Sequence, residues 1–391
     1  GSVTSWFDAF FETVSGFTTT GSSILPNVEV VDKSIIMWRS TIQWIGGMGV
    51  LVFIMAVLPL SVNTSIHLMR AEVPGPVFGK LVPKIRTSSA ISYIIYVALT
   101  AVLIILLLFG KMSFFDAVNH AFTTASTGGY SSRALSVGYF DSAYIDVVIG
   151  IFMILFGVNF TVYFLLLTRK FRAALTNSEV LTYLGIITFA TITIALDVLG
   201  HYGNNFGTAL RHSFFQVSTI ITTTGFSSTD FNLWPAYSKW VLILLMFIGA
   251  CSSSTGGGLK ISRVIILFKT SVQEITKVLH PRNTSSVRVD GAVVDPTTVR
   301  YTLVFFFIYI TVTFFSTMVV TLDGFDFASA LSAAVSAISN TGPGLGAFGP
   351  LSNFADLSDL STFVLSLTML IGRLEIFPIF ILFLPGTWRR G

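Results

Sequence analysis

Two kinds of helical run alternate along this chain. Long apolar runs at about 34–60, 90–109, 144–167, 180–199, 237–268, 299–322 and 360–383 are each long enough to cross a bilayer. Between them lie shorter, more polar runs at 6–17, 114–124, 210–220 and 327–338. These are too short and too polar to span, and they read as half-helices that stop at a glycine.

Each short run ends in a hydroxyl-rich segment: SGFTTTGSS (15–23), TTASTGGYSS (123–132), STIITTTGFSS (218–228) and AISNTGPGLG (337–346). Aligned on their Thr-Gly pairs, the repeats put Gly21, Gly128, Gly225 and Gly342 in one column, roughly a hundred residues apart. The repeat unit is helix, half-helix, loop, helix. It divides the chain into 1–65, 66–175, 176–285 (with a broken inner helix) and 286–391. The first outer helix of the first unit is missing from this pattern, so one further span is expected upstream. Four half-helices with four matched loops predict a ring around a pseudo-fourfold axis. Backbone carbonyls and hydroxyls in such a ring can replace the hydration shell of a cation. Glycine permits the backbone angles that this requires, and the half-helix C-termini add negative potential. The expected ion-binding residues are Thr19, Thr20 and Gly21; Ser126, Thr127 and Gly128; Thr223, Thr224 and Gly225; and Asn340, Thr341 and Gly342. The competing reading is four turns that merely join helices, and the matched spacing weighs against it.

The run GACSSSTGGG (249–258) interrupts an otherwise apolar span. Four glycines and four hydroxyl residues cannot hold a stable helix there. Irregular backbone at membrane depth survives only where protein or water covers it. The run is read as a loop beneath the filter that obstructs the pore, against the alternative of a simple helix break. The candidate gate residues are Gly249, Cys251, Ser252, Ser253, Ser254, Thr255, Gly256, Gly257 and Gly258, with Lys260 at the edge. Arg373 lies in the last span, two residues before Glu375. Residues two apart do not share a helix face, so the two are not expected to pair. Arg373 is expected to face the pore and hydrogen-bond the broken segment, against snorkelling to the interface. Asp116 and His120, one turn apart, admit a metal or proton-relay reading, but a helix cap with a satisfied histidine is favoured. Arg39 is expected at an interface or against a loop, and Asp146 and Asp197 at interfaces.

Composition adds the class. The chain is 53% apolar, 14% aromatic and only 11% charged. Soluble chains carry about 25% charged residues, so this is an all-α polytopic membrane protein. The net charge of +4 comes from membrane-flanking Lys and Arg, with no basic stripe suited to nucleic acid. The connections holding Arg70, Lys80, Lys84 and Arg86, then Arg169, Lys170 and Arg172, then Lys269, Lys277, Arg282 and Arg288 are cytoplasmic by the positive-inside rule. The four loops therefore face outward. A single cysteine excludes an internal disulfide and Cys-based metal clusters. No catalytic motif, dinucleotide fingerprint or Walker A run is present.

These residues carry a family resemblance. TTTGSS, STGGYSS, TTTGFSS and NTGPGLG as filter loops, with IQWIGGMGV (42–50), CSSSTGGGLK (251–260) and IGRLEIFP (371–378), resemble the Trk/Ktr/HKT superfamily of potassium transporters. Within it, the bacterial TrkH-type uptake subunits are most similar. The resemblance covers essentially the whole chain. It implies potassium or rubidium uptake across the bacterial cytoplasmic membrane, K+ as the transported ion with no covalent cofactor, and a gate at 249–258 with Arg373. It also implies a homodimer in membrane lipid, controlled by a cytoplasmic nucleotide- and NAD-binding subunit. Glycine at all four aligned positions is the pattern that the family associates with potassium rather than sodium. The alternative is a proton- or sodium-coupled symporter, which needs an intramembrane carboxylate. Glu375 is the one candidate that the sequence offers. An enzyme or a non-conducting assembly subunit is a third class, for which nothing in the sequence speaks.

Overall fold

The computed structural model describes residues 5–49, 85–280, 286–374 and 376. The expected basic connection before residue 85, Glu375, and the ends of the first and last expected spans lie outside them. Helices α1 (Trp6–Phe17) and α2 (Lys33–Gly47) are followed by α3 (Ile85–Phe109), α4 (Phe114–Ala125), α5 (Ala143–Gly157), α6 (Phe160–Leu167) and α7 (Phe171–Leu175). Then come α8 (Ser178–Asp197), α9 (Phe206–Ile221), α10 (Ala236–Ile248), α11 (Ile261–Leu279), α12 (Pro296–Thr321), α13 (Phe327–Ser339) and α14 (Asp359–Arg373). A two-stranded antiparallel hairpin, Arg288–Val289 with Ala292–Val293, precedes α12.

Among the described residues, Ala90–Phe109 within α3, α8 and α12 are each long and apolar enough to cross a membrane alone. The run expected as one span at 144–167 is instead two helices, α5 and α6, bent by 89°. The cause is local. The N–H of Phe160 leaves the helical ladder to donate to Ser253 O, and Asn159 caps α6 through the N–H of Thr161. The break expected at 249–258 separates α10 from α11, and no helix forms across it.

The short helices α1, α4, α9 and α13 lie inside the bundle, where their small and hydroxyl-bearing residues are buried. Their starts follow from capping. Ser113, Asn205 and Asp326 each accept a hydrogen bond from an N–H of the first turn that follows. The third begins at Phe206, four residues earlier than the apolar pattern suggests. Packing among the helices closes on itself: α2 lies against α4, α5 against α9, α10 against α13, and α14 against α1. Each short helix also touches the helix that follows its own loop. The apolar core between these layers includes Phe11, Ala121, Phe215 and Val335, all fully buried.

Candidate functional site

The four short helices end in the same way. A left-handed residue closes each: Thr19 (φ 55°), Thr127 (φ 53°) and Thr223 (φ 58°), each just after its C-cap, and the C-cap Asn340 (φ 57°) itself. The next N–H in each loop reaches back five residues, Thr20 to Ser15 O, Gly128 to Thr123 O, Thr224 to Thr219 O and Thr341 to Ser336 O, at 2.8–2.9 Å. This is the paired hydrogen-bond closure that usually places glycine at the left-handed position. Threonine there is β-branched and costs roughly 1–3 kcal/mol of backbone strain. Asn is the one side chain of the four that tolerates it readily. The helices thus stop on Thr or Asn, two residues before Gly21, Gly225 and Gly342 and one before Gly128. Strain concentrated at three equivalent positions marks the loops as more than connectors.

The shared geometry also corrects the repeat register. Gly21, Gly225 and Gly342 have positive φ, and their partner in the second unit is Gly129 (φ 71°), not Gly128. Gly128 stands where the other loops have Thr20, Thr224 and Thr341. The doubled glycine in STGGYSS concealed this, because sequence alignment cannot choose between adjacent glycines.

Loop contacts run from one unit to the next. A Cβ on Gly21 would collide with Gly128 O, one on Gly129 with Thr224 O, and one on Gly225 with Thr341 O. A Cβ on Gly342 would lie 2.8 Å from Thr20 O, which returns the series to the first loop. These four glycines line one cavity of about 160 Å³, bordered also by Arg39, Tyr130 and Pro343. In three loops the Thr hydroxyl folds back onto the hydroxyl two residues earlier: Thr18 with Thr20, Thr222 with Thr224, and Ser339 with Thr341, at 2.7–2.9 Å. Ser126, which has no such partner, donates to Phe122 O. Asn340 Nδ2 donates to Thr20 Oγ1 at 2.9 Å, joining the fourth loop to the first.

Behind the first two loops, Arg39 pairs with Glu12, donates to Ser23 Oγ and lies 3.9 Å over the Tyr130 ring. Arg39 is thus loop-contacting and buried rather than interfacial. Asp116 accepts from Ser113, Ser132 and Arg133, and His120 bonds Asp116 O and Ser131 Oγ, so this pair serves as a cap with a satisfied histidine. Asp197 accepts from the N–H and hydroxyl of Ser238 at the start of α10. Asp146, expected at an interface, is buried and bonded to Arg211 at 2.7 Å. The capping carboxyl of Asp326 is held below the usual carboxylate range by the Ser329 hydroxyl and N–H.

The segment between α10 and α11 lies directly against two of these loops. Gly257 N–H donates to Thr223 Oγ1 at 2.6 Å, and Gly258 N–H to Ser339 O at 3.0 Å. Gly256 and Gly257 sit where any side chain would strike Thr222 O and Ser339 O respectively. Ser254 bonds Cys251 O, Ser252 bonds Ser262, and Gly249 takes a positive φ against Gly258. Lys260 is buried and donates to Gly256 O, stabilising the segment from within. Arg373 donates to Thr255 O at 2.8 Å and to Gly46 O and Gly47 O at 2.7 Å, which ties the segment to α14 and to the end of α2. Sequence reasoning missed Glu179. Its carboxylate, buried at the start of α8, accepts from Ser252 N–H at 2.6 Å and from Asn159 Nδ2. Its position after Asn177-Ser178 looked like an ordinary acidic first turn, and only tertiary packing reveals the second role.

Fold and site together define a polytopic, all-α membrane protein. The profile of the cation transport protein family TrkH matches residues 2–198 and 179–388, and the chain belongs to that family. It is 35% identical over 385 residues to the Trk system potassium uptake protein TrkH of Salmonella typhimurium, covering 98% of this chain and 79% of that one. It is likewise 35% identical over 386 residues to the Trk system potassium uptake protein TrkG of Escherichia coli, with the same coverage. The crystal structure of the potassium transporter TrkH from Vibrio parahaemolyticus is similar at a TM-score of 0.86 and 32% identity, over 99% of this chain and 80% of that one.

Proposed function

We propose that the chain carries potassium, or rubidium, into a bacterial cell across the cytoplasmic membrane. The ion passes a pseudo-fourfold filter built from the loops 18–21, 126–129, 222–225 and 339–342. The observation that carries this reading is the closed series of glycine-to-carbonyl contacts around a single cavity. Carbonyls so arranged present oxygen ligands to a dehydrated cation, and the C-terminal ends of four buried helices add negative potential. The segment 249–260 is the gate in this reading. It sits against two filter loops and is fastened by Glu179, Lys260 and Arg373, so conduction requires its displacement.

A coupled symporter is the second reading. It is disfavoured because, among the described residues, the buried carboxylates Glu12 and Glu179 are committed elsewhere, to Arg39 and to the gate segment; Glu375, the carboxylate that the sequence offers for coupling, lies outside them. Homodimerisation and control by a cytoplasmic nucleotide- and NAD-binding subunit complete the proposal, as the family resemblance implies.

Rubidium uptake by reconstituted wild type, Gly225→Ser and a deletion within 249–258 tests it. Sodium leak is expected from the first variant and raised flux from the second. Unchanged selectivity in Gly225→Ser would remove the filter assignment. A reversal potential that departs from the potassium Nernst value as a second ion gradient is varied would favour the symporter.

A further inference from the structure

One loop lacks the threonine that the other three carry, and another helix fills its place. At the position of Thr20, Thr224 and Thr341 the second loop has Gly128. A Cβ there would lie 2.5 Å from Gln43 Cδ and 2.6 Å from its Oε1. Gln43 belongs to α2, a different unit, and is fully buried. Its Nε2 donates to Gly128 O at 2.7 Å, and its Oε1 accepts from Tyr130 N–H at 3.2 Å. The orientation of the amide follows from its partners, because a carbonyl can only accept and a backbone N–H can only donate. One turn earlier on the same face, Arg39 covers the Tyr130 ring, so α2 grips the second loop at both ends of Tyr130.

Gly128 O is the carbonyl that meets Gly21 in the closed series of contacts. Its three equivalents, on Thr20, Thr224 and Thr341, have no such side-chain donor among the described residues. A carbonyl that already accepts a hydrogen bond has less electron density to offer a cation and less freedom to close around a small one. Cation choice in a carbonyl-lined filter depends on the number and field strength of its oxygens.

We infer that Gln43 is a specificity-determining positioning residue: its amide weakens and fixes one of four ring carbonyls and thereby sets the filter against sodium. This rests on the filter reading above. With the donor removed, the fourth oxygen regains full field strength and mobility, and the smaller ion gains.

The test uses the full chain in liposomes, with sodium-to-potassium permeability ratios taken from reversal potentials. Gln43→Met keeps the volume and removes the amide. The ratio is expected to rise about fivefold, the effect of one neutral hydrogen bond expressed as an equilibrium ratio. The double variant Gln43→Ala/Gly128→Thr fills the space with the side chain found in the other three loops but leaves the carbonyl without its donor. Its ratio is expected to stay raised, and a return to the wild-type ratio would overturn the inference by showing that occupied volume, not the hydrogen bond, sets selectivity. If Gln43→Met does not fold, Gln43→Asn, which keeps the amide but falls one methylene short, takes its place with the same expected rise. An unchanged ratio, or an equal loss of both fluxes, would overturn the inference and reduce Gln43 to a structural support. Absence of rubidium flux in wild type would instead count against the filter reading, so the two failures are distinct.

Discussion

Gly257 N–H donates to Thr223 Oγ1 at 2.6 Å. One hydroxyl therefore belongs at once to a residue held in left-handed strain at a loop tip and to the irregular segment that breaks the neighbouring span. If the loop binds the ion and the segment blocks its exit, this contact couples occupancy of one to the position of the other.

Thr223→Val removes the acceptor while keeping the shape, leaving the Gly257 N–H without a partner. A neutral hydrogen bond contributes about 1 kcal/mol, a factor of roughly five in an equilibrium. Rubidium influx is expected to rise by about that factor. Influx at the wild-type level would mean that the contact does not hold the segment in place.

Arg373 reaches three carbonyls on two different elements. Lysine is a single point charge and cannot reproduce a planar fork of donors. Both Arg373→Lys and Arg373→Ala are expected to raise flux, the alanine variant more. Wild-type flux in the lysine variant would show that charge, not bridging, is what matters.

The corrected register gives Gly129 the role that the repeat alignment assigned to Gly128. Gly129→Ser is expected to admit sodium as Gly225→Ser does, because each side chain would strike the neighbouring loop's carbonyl. Reversal potentials in a sodium gradient decide this. A selective Gly129→Ser protein would refute the register.

Cys251 is the only cysteine and is buried within the segment, so its labelling by a maleimide reports opening there. Glu179→Gln removes the charge that holds the Ser252 N–H. Hydrogen bonds to charged groups contribute about 1.5–3 kcal/mol, and labelling is expected to accelerate roughly tenfold or more. An unaltered labelling rate would show that Glu179 does not fasten the segment.

Asp326 caps α13 as a carboxylate whose folded-state pKa is depressed by Ser329. A depressed acid stabilises the fold above its unfolded pKa and loses that contribution as pH falls through the lower folded value. Thermal stability in detergent is therefore expected to fall on acidification, with a shallower decline in Asp326→Asn. Parallel pH profiles for the two proteins would contradict the assignment.

The local alphabet fixed a good deal. Apolar runs and their lengths place the helices, because a membrane span has one hydrophobic length and a half-helix another. Composition declares the membrane class, and four hydroxyl-glycine segments at matched intervals single out the loops. Glycine content alone marks 249–258 as non-helical. Other features depend on atoms distant in sequence, and only the assembled chain decides them. The choice between Gly128 and Gly129 rests on a backbone angle and on the carbonyl of the next loop. The bend after Gly157 arises because Ser253 O captures an N–H that a lone helix would keep. The burial of Asp146 against Arg211, the hold of Glu179 on Ser252 and the insertion of Gln43 behind the second loop are pairings across 65, 73 and 85 residues. No periodicity encodes a pairing of that kind, since its energy exists only once packing has removed the competing water.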